Sequence, residues 1–196
     1  MNVVGLVGSA LKSGRTRHAV EMALGGAMEQ PGNTSDLIDL SIDKVSIFDG
    51  RPSEQYPDST SSVVSRICRG DAFIVASPMY RGTYTGALKN VLDHLPLEAL
   101  EGKVVGIIAT GATPHHYLAI DHDFRAVLAW FNAYVLPGSV YLDHTAYADG
   151  ALVDAARRAS LTELGRALVT VALKLKDVRP TPPCLARESM KAGGKK

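Results

Sequence analysis

Short, continuously apolar runs alternate along this chain with longer amphipathic stretches, and that rhythm limits the possible folds more than any other feature. Val3-Val4-Gly5-Leu6-Val7-Gly8, Ser35-Asp36-Leu37-Ile38-Asp39-Leu40 and Ala72-Phe73-Ile74-Val75-Ala76-Ser77 read as three strands. Val104-Val105-Gly106-Ile107-Ile108-Ala109 and residues 139–142 add two more. Residues 16–28, 59–69, 85–95 and 117–134 carry helical spacing between them, and a last helix covers 151–175. Gly25-Gly26 is expected to fray or end the first helix. The Ser59-Thr60-Ser61-Ser62 run offers N-cap candidates for the second. Residues 41–58, with Gly50, Pro52 and Pro57, read as a long loop. Strands that are apolar throughout are buried on both faces, which requires a parallel sheet between two helix layers.

Five strands in one domain predict an α/β chain of the flavodoxin-like kind. This is a three-layer sandwich whose parallel sheet runs in the order 2-1-3-4-5, with helices on both faces. Ligands then sit outside the strand C-terminal ends, near strands one and three. The chain has 196 residues, 46% of them hydrophobic, and a domain of that size buries about 70% of its unfolded surface without staples. A formal net charge of +1 gives no footprint for nucleic acid or membrane. The charge is uneven, however: from Lys174 onward seven basic and two acidic residues give +5, which leaves −4 for the rest. Residues 1–176 therefore read as the folded domain and 177–196 as a flexible basic tail. Cys68 is expected to be buried in a helix and Cys184 exposed in the tail, with no disulfide framework or zinc site between them. With no apolar run long enough to span a bilayer and no signal peptide, the expected location is the cytoplasm.

Three loops should meet at one end of the sheet. The first, Gly8-Ser9-Ala10-Leu11-Lys12-Ser13-Gly14-Arg15-Thr16-Arg17, leaves a strand and opens a helix. Its hydroxyls, glycines, backbone N–H groups and arginines suit a phosphomonoester. It is neither the dinucleotide fingerprint nor a Walker loop. The second, Ser77-Pro78-Met79-Tyr80-Arg81-Gly82-Thr83-Tyr84-Thr85-Gly86-Ala87-Leu88-Lys89-Asn90, combines glycines with aromatics able to line a flat ring. The third, Ala109-Thr110-Gly111-Ala112-Thr113-Pro114-His115, offers backbone N–H groups to the polar edge of that ring.

The G-S-x₄-G-R-T loop, the S-P-M-Y-R-G-T-Y-T-G-A-L-K-N-V-L-D stretch and A-T-G-A-T together resemble the NAD(P)H-dependent FMN reductase family. The resemblance is nearest to the reductase components of two-component flavin-dependent monooxygenases, including those of sulfonate desulfonation, and covers roughly residues 3–175. It implies that Ser9, Arg15 and Thr16 hold the FMN phosphate. Pro78, Met79, Tyr80 and Gly82 line the isoalloxazine, and Thr110, Gly111 and Ala112 contact its other edge. Lys89 and Asp93 match positions the family places at a dimer interface. Two positions depart from the pattern: Leu11 stands where many relatives have Arg, and Gly14 where they have Ser. Some two-component reductases carry a bulge-forming Tyr in the fourth helix at an oligomer interface, and His122 stands in that register here.

The implied activity is NAD(P)H:FMN oxidoreduction, with NADPH or NADH as donor and FMN as acceptor. No catalytic side chain is needed, because the flavin itself accepts the hydride. The implied assembly is a homodimer or homotetramer, with a flavin-dependent monooxygenase as partner. Alternatives are an FMN-bound quinone, azo-dye or metal-ion reductase, or a non-enzymatic electron carrier of the flavodoxin type. Such carriers are usually strongly acidic, and this chain is near neutral. His115, His116 and His122 make no metal motif and read as loop and interface residues, so no metal is assigned. Residues 127–131 read as core or subunit interface.

Overall fold

A computed structural model describes residues 1–12, 14–118 and 120–178. Five parallel strands form one sheet: β1 (Asn2–Val7), β2 (Thr34–Asp39), β3 (Ala72–Pro78), β4 (Val104–Thr110) and β5 (Tyr134–Leu142). Their spatial order is β2-β1-β3-β4-β5, as the alternation predicts. Successive side chains of each strand point to opposite faces, so one apolar run serves two cores. Val4, Leu6, Phe73, Val75, Val105 and Ile107 face one layer, while Val3, Val7, Ile74, Ala76, Val104 and Ile108 face the other.

The second of these faces is closed by α1 (Gly14–Met28) and α5 (Ala155–Leu175). Gly26 does not end α1 as expected. A Cβ there would lie 2.1 Å from the Thr162 carbonyl oxygen, and one at Gly165 would lie 1.9 Å from that of Ala23. The glycines therefore mark a close crossing of two helices. Helix-breaking propensity loses to a contact that no larger residue permits.

The first face is closed by α2 (Thr60–Cys68), α3 (Gly86–His94) and α4 (Arg125–Trp130). On α2 the inward positions are Thr60, Val63, Val64 and Ile67, so Cys68 lies one step round the helix and is exposed, not buried. The segment predicted as one helix over 117–134 is broken into a 3₁₀ turn (Pro114–Leu118), a π turn (Ile120–Phe124) and α4. The π turn brings Ile120 and Phe124 into the core while His122 stays exposed. β5 starts at Tyr134, well before residue 139, because Pro137-Gly138 is absorbed as a bulge. Val135 pairs with Val105 and Ser139 with Ile107. The Arg125 guanidinium donates to the Leu136 and Pro137 carbonyls of that bulge at 2.5 and 2.6 Å. Residues 151–152, expected to begin the last helix, form a hairpin of β6 (Tyr147–Ala148) and β7 (Ala151–Leu152). Asp149 and Gly150, both at positive φ, turn it. Asp154 caps α5, its carboxylate accepting the Arg157 N–H.

No helix among the described residues is long and apolar enough to cross a membrane. Most of the basic tail, with Cys184, lies outside the described residues.

Candidate active site

All three loops emerge at the C-terminal edge of β1, β3 and β4, and hydrogen bonds tie them into one unit. Thr85 caps α3 by accepting the Leu88 N–H at 3.1 Å, and the same hydroxyl donates to the Gly8 carbonyl, joining the second loop to the first. Thr16 and Thr110 share a buried hydroxyl–hydroxyl bond of 3.0 Å, joining the first to the third. The Met79 N–H donates to the Thr110 carbonyl at 2.7 Å, joining the second to the third.

The phosphate candidates occupy different settings. Ser9 is fully buried and its hydroxyl donates to the Leu11 carbonyl at 3.1 Å, closing a turn within the loop. Thr16 is buried with its hydroxyl against Thr110. Arg15 is exposed and its guanidinium lies 5.0 Å from the centre of the Tyr147 ring. Arg17 is committed to Glu21 at 2.8 Å and Asp39 at 3.0 Å. The main-chain N–H groups of Ala10, Leu11 and Lys12 have no hydrogen-bond partner among the described residues.

In the second loop, Pro78 ends β3, and Met79 is buried in the core with its N–H already used. Tyr80 and Gly82 reach the surface. Tyr80 and Thr83 bond reciprocally at 2.8 and 3.2 Å across Arg81 and Gly82, whose φ angles of 55° and 88° give the tight turn of a two-residue hairpin. In the third loop the Gly111 N–H donates to the Leu142 carbonyl at 2.9 Å, and those of Ala112 and Thr113 have no partner among the described residues. A Cβ on Gly111 would lie 2.0 Å from the Tyr141 hydroxyl, so any larger residue there must displace the Tyr141 ring.

Sequence reasoning missed the residues that brace this edge from the end of β5 and just after it: Tyr141, His144 and Tyr147. The Asp149-Gly150 hairpin signal could have placed the last of them. Burial pushes the Tyr147 phenol up, opposed by the Arg15 charge. Two buried side-chain atoms among the described residues, Tyr147 Oη and His116 Nδ1, have no partner, and they flank the first and third loops.

These features fit a flavin mononucleotide. Unpartnered donors and an exposed arginine at the opening of α1 suit a phosphate, while unpartnered donors on a glycine-dependent loop, opposite an exposed tyrosine, suit a polar ring edge. A hollow of about 310 Å³ beside the first loop is lined by Lys12, Gly14, Arg17, Asp39, Ser41 and Ile42. A larger cavity, about 910 Å³, lies elsewhere, between β5 and α5. Its lining is mostly apolar and it is remote from the three loops, so it is not the candidate site.

Lys89 and Asp93 form an exposed pair at 2.5 Å on α3. They border a groove of about 320 Å³ with Leu92 of the same helix and Val127 and Trp130 of α4. His122 lies on the π turn that precedes α4.

The sequence model of the NADPH-dependent FMN reductase family matches residues 1–147. An NAD(P)H-dependent FAD/FMN reductase of Geobacillus thermodenitrificans is 38% identical over 105 residues. That match covers 54% of this chain and 57% of the relative, so it spans little more than half of the relative's length. The NADH-dependent FMN reductase SfnF of Pseudomonas fluorescens is 31% identical over 149 residues, covering 76% and 80% of the two chains. Among solved structures, the apo form of an NADH:FMN oxidoreductase superposes with a TM-score of 0.71 at 26% identity, covering 87% of this chain and 89% of that one.

Proposed function

Since this chain belongs to the NADPH-dependent FMN reductase family, we propose that it transfers hydride from reduced nicotinamide to FMN and supplies the reduced flavin to a partner monooxygenase. The observation that carries this reading is the convergence of three bonded loops that leave main-chain donors unpartnered at two places, the opening of α1 and the loop after β4. FMN, when bound, supplies the ring that accepts the hydride.

The chain's own task is placement. Arg15 and the N–H groups of Ala10, Leu11 and Lys12 offer positive charge and donors to the phosphate. Ser9 and Thr16 hold the shape of that loop, Ser9 through Leu11 and Thr16 through Thr110. Tyr80 and the Arg81-Gly82 turn form one wall of the ring site, with Pro78 and Met79 fixing its base from the core. Thr110, Gly111 and Ala112 form the opposite edge. No proton needs to move through a side chain, so the site works by holding two flat rings together and excluding water. Lys89, Asp93 and His122 mark the surface where a second copy would pack. The monooxygenase role rests on the likeness to the Sfn reductases. Residues 1–176 act as the reductase domain in this reading, and the cytoplasm is its place of work.

The test is stopped-flow oxidation of NADH and NADPH by the purified protein, with and without added FMN. Faster oxidation that depends on FMN is expected. Failure with both donors at saturating FMN would overturn the reading. Arg15→Ala should weaken FMN about tenfold and leave riboflavin binding unchanged, since one charge-assisted contact is worth about 1.5 kcal/mol.

A further inference from the structure

The loop after β4 is gripped by side chains that have no part in the chemistry proposed above. Tyr141, near the end of β5, donates its phenol hydrogen to the Thr113 carbonyl at 2.5 Å. His144, in the 3₁₀ turn that follows, places Nδ1 2.6 Å from the Ala112 carbonyl oxygen. A carbonyl oxygen only accepts, so His144 carries a proton on Nδ1. Both contacts draw main-chain oxygens toward the β5 flank. A trans peptide is planar, and its N–H points opposite to its C=O. Fixing the Ala112 carbonyl on His144 therefore turns the Thr113 N–H away from β5, toward the side on which β3 and the Tyr80 turn lie. The peptide between Thr110 and Gly111 is fixed at both ends, by the Met79 N–H and the Leu142 carbonyl, so the loop has little freedom to swing back.

We infer that His144 is a positioning residue that aims the Thr113 N–H at the polar edge of the flavin ring, with Tyr141 locking the next carbonyl in place. This rests on the FMN reading above. A donor held in place before the ring arrives costs no ordering on binding, so it strengthens the grip on the ring whether or not a phosphate is attached.

Quenching of flavin fluorescence gives dissociation constants for FMN and riboflavin without turnover. His144→Ala should weaken both flavins by the same factor, roughly tenfold, the effect of about one hydrogen bond. His144→Asn keeps an N–H donor near the δ position and should recover most of that loss. Tyr141→Phe should weaken both flavins about threefold. Unchanged affinity in a folded His144→Ala, a loss confined to FMN, or a His144→Asn no better than Ala would each overturn the inference. Should His144→Ala fail to fold, His144→Gln takes its place, because its amide reaches the ε position and should not substitute as Asn does. A wild-type protein that binds neither flavin overturns the reductase reading instead, which keeps the two failures apart.

Discussion

The two faces of the sheet are covered in opposite ways. On one, α1 and α5 cross so closely that Gly26 and Gly165 lie against the backbone of the facing helix. On the other, α2, α3 and α4 share the cover with a long loop and a π turn. Grooves of about 320 and 600 Å³ remain there, bordered by Trp130, Lys89 and Asp93 in one case and by Phe48, Arg51 and His94 in the other. The difference separates a scaffold from a working surface. Backbone contact leaves no room at the Gly26 and Gly165 crossing, and elsewhere that face keeps a mostly apolar cavity of about 910 Å³ between β5 and α5. The face assembled from short pieces leaves charged and aromatic side chains where a second copy can reach them. The three loops sit along the edge between the two, with α1 opening beneath one and α3 beneath another.

The sharpest way to break the comparison is to give the closed face a side chain it has no room for. Gly165→Ala puts a methyl group 1.9 Å from the Ala23 carbonyl oxygen and 2.7 Å from the Ala27 nitrogen. The helices must separate, at a cost of about 3 kcal/mol, which lowers Tm by roughly 6–12 °C in a domain of this size. Gly25→Ala is the control. Nothing lies within 4 Å of a Cβ there, and the position is inside a helix. That change should raise stability by about 0.5–1 kcal/mol. Thermal melts of the pair decide the matter: equal effects at the two positions would remove the close-crossing account.

On the open face the corresponding change should leave the melt nearly alone and alter assembly. Trp130 is half exposed on α4 and borders the groove with Lys89 and Asp93. Trp130→Ala combined with Lys89→Glu should shift the protein toward monomer in light scattering at micromolar concentration, with Tm within a few degrees of the parent. A parent protein that is already monomeric, or an unaffected oligomer, would count against this surface.

Strand order, both cores and the three loops were legible because they depend on continuous apolar runs and on where Gly, Ser and Thr follow them. What was not legible has three physical causes. Gly25 and Gly26 look alike in sequence, and only the path of α5 decides which one is a contact. Pro137-Gly138 reads as a strand break, yet Arg125 satisfies the bulge carbonyls and the strand continues. Cys68 adjoins Ile67 in an apolar pattern, and one residue on a helix is 100° of rotation, enough to move from core to surface. The bracing of the third loop by Tyr141 and His144 was hidden for a similar reason, since both lie far along the chain from Ala112 and Thr113. The π turn at Ile120–Phe124 was placed by resemblance, not by periodicity.

The smallest effect tests how the open face is fastened where it lacks backbone contact. Arg66 of α2 reaches the edge strand β2. It donates to the Asp36 carboxylate through Nε at 2.9 Å and through Nη2, to the Leu37 carbonyl at 2.8 Å, and to Asp43 at 3.3 Å. The hydrogen bonds from Arg66 hold the Asp36 carboxyl below its ordinary value of 3.8, against the opposing effect of burial. A carboxylate held low in the folded state adds stability above that ordinary value, and the addition is lost as pH falls through the folded one. Asp36→Asn should therefore lower Tm by a few degrees between pH 5 and 7, and the gap from the parent should close as the pH drops below about 4. Glycine contacts carry no charge, so the Gly165→Ala deficit should stay constant over the same range. Two parallel pH profiles would show that both faces are fastened by the same means, and the contrast between them would fall.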